Sequence, residues 1–150
     1  MEAFVRPHKP IFWQILQPAF DRVSIYDGPA VWLRGYASCT PDEQTLLASF
    51  WCQSEVRNGG FVQLFLNNTG VVVPEAVIGF ENLKLDTLAS CVRRAMKRFG
   101  DPYPRDRIQR VDILDSRDLL FGDLDDEFFA ALTNNEYEKA ANAIVLNRLH

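Results

Sequence analysis

Apolar residues recur at helical spacing through most of the chain, and the alternating apolar–polar runs that mark strands are scarce. The clearest stripe lies over residues 86–99, where Leu88, Cys91, Val92, Ala95 and Phe99 share one face and Gly100 supplies the stop. Upstream, Thr40-Pro41-Asp42-Glu43 has the layout of a helix start. Thr40 is a capping residue, Pro41 suits the first helical position, and Glu43 is placed to close a capping box. This helix is expected to run to about Arg57 with Leu46, Leu47, Phe50 and Trp51 inward. Shorter helices are predicted over 10–17 (halted by Pro18), 74–83, 124–132 and 136–149. Asp27-Gly28-Pro29 marks a turn inside an otherwise ambiguous 18–39 stretch. Val71-Val72-Val73 reads as a brief extended segment, and 108–114 is of open type. The predicted fold class is all-α: a compact, single-domain multi-helix bundle spanning 1–150, without internal repeat or linker.

One stretch interrupts the helical pattern in a specific way. Asn58-Gly59-Gly60 is a stop signal, because glycine takes the left-handed conformation after a last helical turn at little steric cost. Phe61 restarts the pattern at once, with Phe61, Val62, Phe65 and Leu66 as its apolar face and Gln63 and Asn67 opposite. The result is a helix–Asn-Gly-Gly–helix corner lined by Glu55, Asn58, Gln63 and Asn67. Two readings follow. These side chains satisfy backbone groups left open where two helix ends abut, or Glu55, Asn58 and Gln63 form a small-ligand or enzymatic site.

Length and composition narrow the function classes. A chain of 150 residues is about one domain in size, and its 47% apolar content supports a packed core. Cys39, Cys52 and Cys91 are odd in number and lack a C-x-x-C pair, so they read as buried thiols of a reducing compartment. The first residues lack a signal-peptide layout and no stretch reaches the length of a membrane span, so a cytoplasmic protein is expected. Asn67-Asn68-Thr69 is then no glycosylation acceptor. His8 and His150 lie near the chain ends, and no nucleophile-elbow, zincin, P-loop or dinucleotide motif occurs. Neither enzymatic activity, nor a cofactor, nor a metal is expected.

Charge is patterned more than it is abundant. The net charge of −4 disfavours direct nucleic-acid binding. Arg93, Arg94, Lys97, Arg98, Arg105, Arg107 and Arg110 form a basic set, read as a solvated face with helix-end cations. Asp112, Asp115, Asp118, Asp123, Asp125, Asp126 and Glu127 follow as an acidic stretch. A calcium loop is not expected, because the sixth-position glycine and twelfth-position glutamate are missing. The stretch either crowds a helix N-terminus and pairs with the basic set, or presents an acidic surface to a basic partner.

The corner also carries a resemblance. Glu55, Asn58, Gly59, Gly60, Phe61, Gln63, Leu64, Phe65 and Asn67 meet the pattern E-x-x-N-G-G-F-x-Q-[aromatic or Leu]-[Phe/Tyr]-x-N of a bacterial family of small proteins, the DNA-mimic protein family. The preceding Phe50-Trp51 pair and the Leu124 to Phe129 segment resemble it too, so the likeness covers about residues 40–130. The resemblance implies an all-helical acidic protein that binds a transcription regulator and blocks its access to DNA. It further implies a homodimer, for which Phe4, Phe12 and Trp13 are candidate interface residues.

Overall fold

The computed structural model describes residues 9–148; Phe4, His8 and His150 lie outside them. Among the described residues there is no strand. The elements are α1 (Trp13–Arg22), α2 (Pro29–Ala37), α3 (Pro41–Leu66), a 3-10 turn (Asn68–Val72), α4 (Val73–Asn82), α5 (Asp86–Lys97), α6 (Arg107–Arg117), α7 (Gly122–Ala131), a second 3-10 turn (Thr133–Asn135) and α8 (Glu136–Arg148). The all-α expectation holds.

The long helix α3 is the spine, against which α1, α4, α6 and α7 pack. Its start is the expected capping box: Thr40 Oγ1 accepts from the Glu43 N–H at 3.2 Å, and Glu43 accepts from the Thr40 N–H at 2.9 Å. Leu46, Leu47, Cys52 and Val56 are fully buried, and Cys39 and Cys91 are buried free thiols. Burial, with the Glu127 carboxylate adding to it, pushes the Cys91 thiol pKa up to about 11. The α4 helix lies close on α3 because Gly79 has no side chain: a Cβ there would fall 2.8 Å from the Thr45 carbonyl oxygen.

Several local expectations are corrected. Pro18 sits inside α1 instead of ending it. The hydrogen bond it cannot donate would go to Gln14, and both residues face solvent, where water replaces it. Burial of Ile15, Leu16 and Ala19 on the other face carries the helix through. The β-branched run at 71–73 is not extended. It winds through the 3-10 turn into α4 and is enclosed on all sides, so packing overrides strand propensity. On the outgoing part of α3 the buried residues are Phe61, Leu64 and Phe65, whereas Val62 is exposed. Phe12 is 3% exposed and packs against Phe50 and Tyr137, which makes it a core residue rather than an interface one. No single helix among the described residues is long and apolar enough to cross a membrane.

Candidate functional site: the glycine corner and the acidic stretch

Both glycines of the corner leave helical geometry, Gly59 at φ −154, ψ 18 and Gly60 at φ 78, ψ −179. The second is not the left-handed helical conformation that a simple stop would use. It lies in a region open essentially to glycine alone, so the chain is redirected without unwinding either limb. Phe61 and Phe65 are thereby carried into an aromatic cluster. Phe61 packs edge-on against Phe128 at 5.5 Å, and Phe65 meets Phe99 at 4.6 Å and Phe121 at 5.0 Å.

Across the bend, Glu55 on the incoming limb faces two amides on the outgoing one. The Gln63 and Asn67 side-chain amides both donate to Glu55 Oε1, at 2.8 and 2.6 Å. The motif spacing thus reflects a clamp: one carboxylate oxygen holds two amides four residues apart. These polar side chains satisfy one another rather than the open backbone groups, which is where the expectation needs correcting. Asn58 is exposed and lines an open polar hollow with Gln53, Ser54, Glu55 and Arg57.

The open backbone donor of the second limb is satisfied from a distance. Asp125 Oδ1 accepts from the Phe61 N–H at 2.8 Å, while its other oxygen lies 2.9 Å from where a Gly60 Cβ would stand. A side chain predicted to belong to an acidic surface is therefore an N-terminal cap supplied by α7 to α3. The corner and the acidic stretch, far apart in sequence, are one assembly.

The remaining acidic residues divide into two sets. Asp123 receives both terminal nitrogens of Arg98, at 3.0 and 2.7 Å, and Glu127 pairs with Arg94 at 2.7 Å. Arg98's hydrogen bonds hold the Asp123 carboxyl below its ordinary range, and the Arg94 and Arg98 guanidinium pKa values are raised in turn. The expected pairing of the basic set with the acidic stretch is present here, at the start of α7. Asp112, Asp115, Asp118 and Asp126 are exposed and make no ion pair among the described residues.

Within the basic set Arg110 departs most from a solvated face. It is fully buried, with Nε donating to the Phe65 carbonyl at 2.7 Å, Nη2 to Asn67 at 2.7 Å, and Nη1 to Arg105 at 2.8 Å and Pro104 at 3.3 Å. It thus closes the last carbonyls of α3, and a Cβ at Gly70 would collide with its guanidinium. Burial draws its pKa below the usual arginine value. Nearby, Arg105 forms a two-pronged pair with buried Glu75, at 2.7 and 2.6 Å, and Trp32 Nε1 donates to the same carboxylate at 2.7 Å. Neither role was read from the sequence. The available signal was the Arg110–Leu114 spacing, which puts the arginine on the buried face of α6.

The DMP19-like protein family matches residues 37–147, a span that contains the capped start of α3, the corner, the acidic stretch and most of α8. No curated protein and no solved structure matches the chain. The likeness first seen in the Asn-Gly-Gly corner therefore extends over most of the molecule, and the chain belongs to the DMP19-like protein family.

Proposed function

We propose that this protein is a DNA-mimic-like regulator: a non-enzymatic cytoplasmic protein that binds a DNA-binding transcription regulator through an acidic face. The observation that carries the reading is the division of the acidic stretch. Asp123, Asp125 and Glu127 are engaged by Arg98, the Phe61 N–H and Arg94, whereas Asp112, Asp115, Asp118 and Asp126 stay exposed without an ion pair among the described residues.

Asp112 and Asp115 sit on α6 and Asp118 is its C-cap, so the three step along neighbouring helical positions with about 4.5 Å of axial rise per step. Such a row raises a local negative potential that basic side chains can meet in place of phosphates. Membership of the DMP19-like family supports the same reading. The net charge of −4 limits it to a local face, and ion pairs within the fold engage Arg93, Arg94 and Arg98.

The test is a pull-down from native lysate at low salt, eluted with a rising salt gradient, using the wild-type chain and a D112N/D115N/D118N variant. A DNA-binding protein released at moderate salt, displaced by duplex DNA and not retained by the variant is the expected result. Retention of the same protein by the variant, or capture of no DNA-binding protein, overturns the proposal.

A further inference from the structure

A cleft of about 310 Å³ opens between the incoming limb of α3 and the 3-10 turn that follows the helix, and Asp125 does not line it. Its size matches the lower end of small-molecule sites, about 300–1,000 Å³. Glu55 and Asn67 of the clamp line it, together with Arg107 at the start of α6 and the side chains of Ile25, Tyr26 and Trp51. The acidic row takes no part in it.

The polar groups of this cleft are incompletely used. Glu55 Oε1 holds both amides, while its second oxygen has no donor among the described residues. Arg107 spends Nε on the Leu66 carbonyl at 2.7 Å, and its terminal nitrogens have no acceptor among the described residues. A carboxylate and a guanidinium thus line one cleft without pairing with each other. The Trp51 indole N–H is shielded from solvent and has no acceptor either, one of two such side-chain atoms among the described residues. An orphan donor of that kind calls for a specific explanation. Its ring is fixed by stacking on Phe20 at 4.9 Å, and it lines the cleft together with Ile25 and Tyr26.

We propose that this cleft binds a small zwitterion, an amino acid with an aromatic or branched side chain. The ligand's carboxylate meets the Arg107 terminal nitrogens, its ammonium meets the free Glu55 oxygen, and its apolar body lies against Trp51 and Tyr26. Charged groups already positioned by other bonds need little reordering on binding, which favours affinity.

Isothermal titration with L-phenylalanine and L-leucine tests this, alongside phenethylamine, which lacks the carboxylate, and phenylpropanoate, which lacks the ammonium. Saturable binding of an amino acid is expected, weakened about tenfold or more for either half-analogue and for the Arg107→Gln and Glu55→Gln variants. Glu55→Gln keeps an oxygen for Gln63 and Asn67, so the corner remains closed, and thermal unfolding identifies any variant that does not fold. Two outcomes overturn the proposal: no saturable binding up to millimolar concentration, or equal affinity in both folded variants. Loss of this site would leave the acidic-face reading untouched, because the two share no residue.

Discussion

Asp125 acts at two places at once, accepting the Phe61 N–H and packing over Gly60. Asp125→Ala is expected to destabilise the protein by about 1–2 kcal/mol, as loss of a helix cap does, while Asp125→Asn retains most of the stability because its amide oxygen can still accept. Urea denaturation of the two variants checks this, and equal losses would mean that charge rather than the cap dominates. Gly60→Ala is more severe. It forces a side chain into a backbone region that costs about 1–3 kcal/mol and drives its Cβ into the Asp125 carboxylate. Arg110→Met leaves the Phe65, Asn67 and Arg105 carbonyls without their donor. At about 1–3 kcal/mol for each buried group left unpaired, it is the most damaging single change named here, and a thermal midpoint close to wild type would contradict that account. These roles were hidden in the sequence for one physical reason. The Phe61 N–H that Asp125 caps lies 64 residues away and the α3 carbonyls that Arg110 closes lie 43 and 45 away, and no local pattern encodes such contacts. Glu55 with Gln63 and Asn67 was legible as a group, because the bend brings near neighbours together.

At the scale of elements, the start of α3 shows how local chemistry becomes pH dependence. The Thr40 backbone N–H bonded to Glu43 holds the glutamate's pKa below its ordinary value, with Arg22 adding to the effect. A depressed folded-state pKa means that this stabilisation is fully present above the unfolded value of about 4.3, and that it is lost as pH falls through the lower folded value. Glu43→Gln is therefore expected to flatten the loss of stability as pH falls below about 4.3, as read from denaturation midpoints across that acid range. An unchanged acid slope would place the dependence elsewhere. Helices with such signals were readable: α3 from its capping box, α5 from its stripe, and α7 and α8 from their apolar spacing. The type of α6 stays open in the sequence, although Asp106 caps it through the Gln109 N–H at 3.1 Å, because its exposed Ile108 and buried Arg110 invert the usual pattern. The 71–73 turn failed differently: a run of valines favours strand, and only its enclosure between α3 and α4 decides otherwise.

For the molecule as a whole, the arrangement separates holding the fold together from presenting charge. The corner, Asp125 and Arg110 lock α3 to α7 and α6, while the exposed Asp112, Asp115, Asp118 and Asp126 contribute no ion pair among the described residues. Composition yields the modest net charge, but only the fold assigns which acids are paired by Arg94 and Arg98 and which stay unpaired among the described residues. Substitution of Asp112, Asp115 and Asp118 by Asn should consequently leave stability within about 0.5 kcal/mol of wild type, as for surface changes without structural partners. The most direct measurement is the affinity of the purified DNA-binding partner for the wild-type and D112N/D115N/D118N chains across a series of salt concentrations. The acidic-face account predicts wild-type binding that weakens steeply with salt, and a variant that is folded but weak with a shallower salt dependence. Identical affinities and salt slopes for the two chains would contradict it.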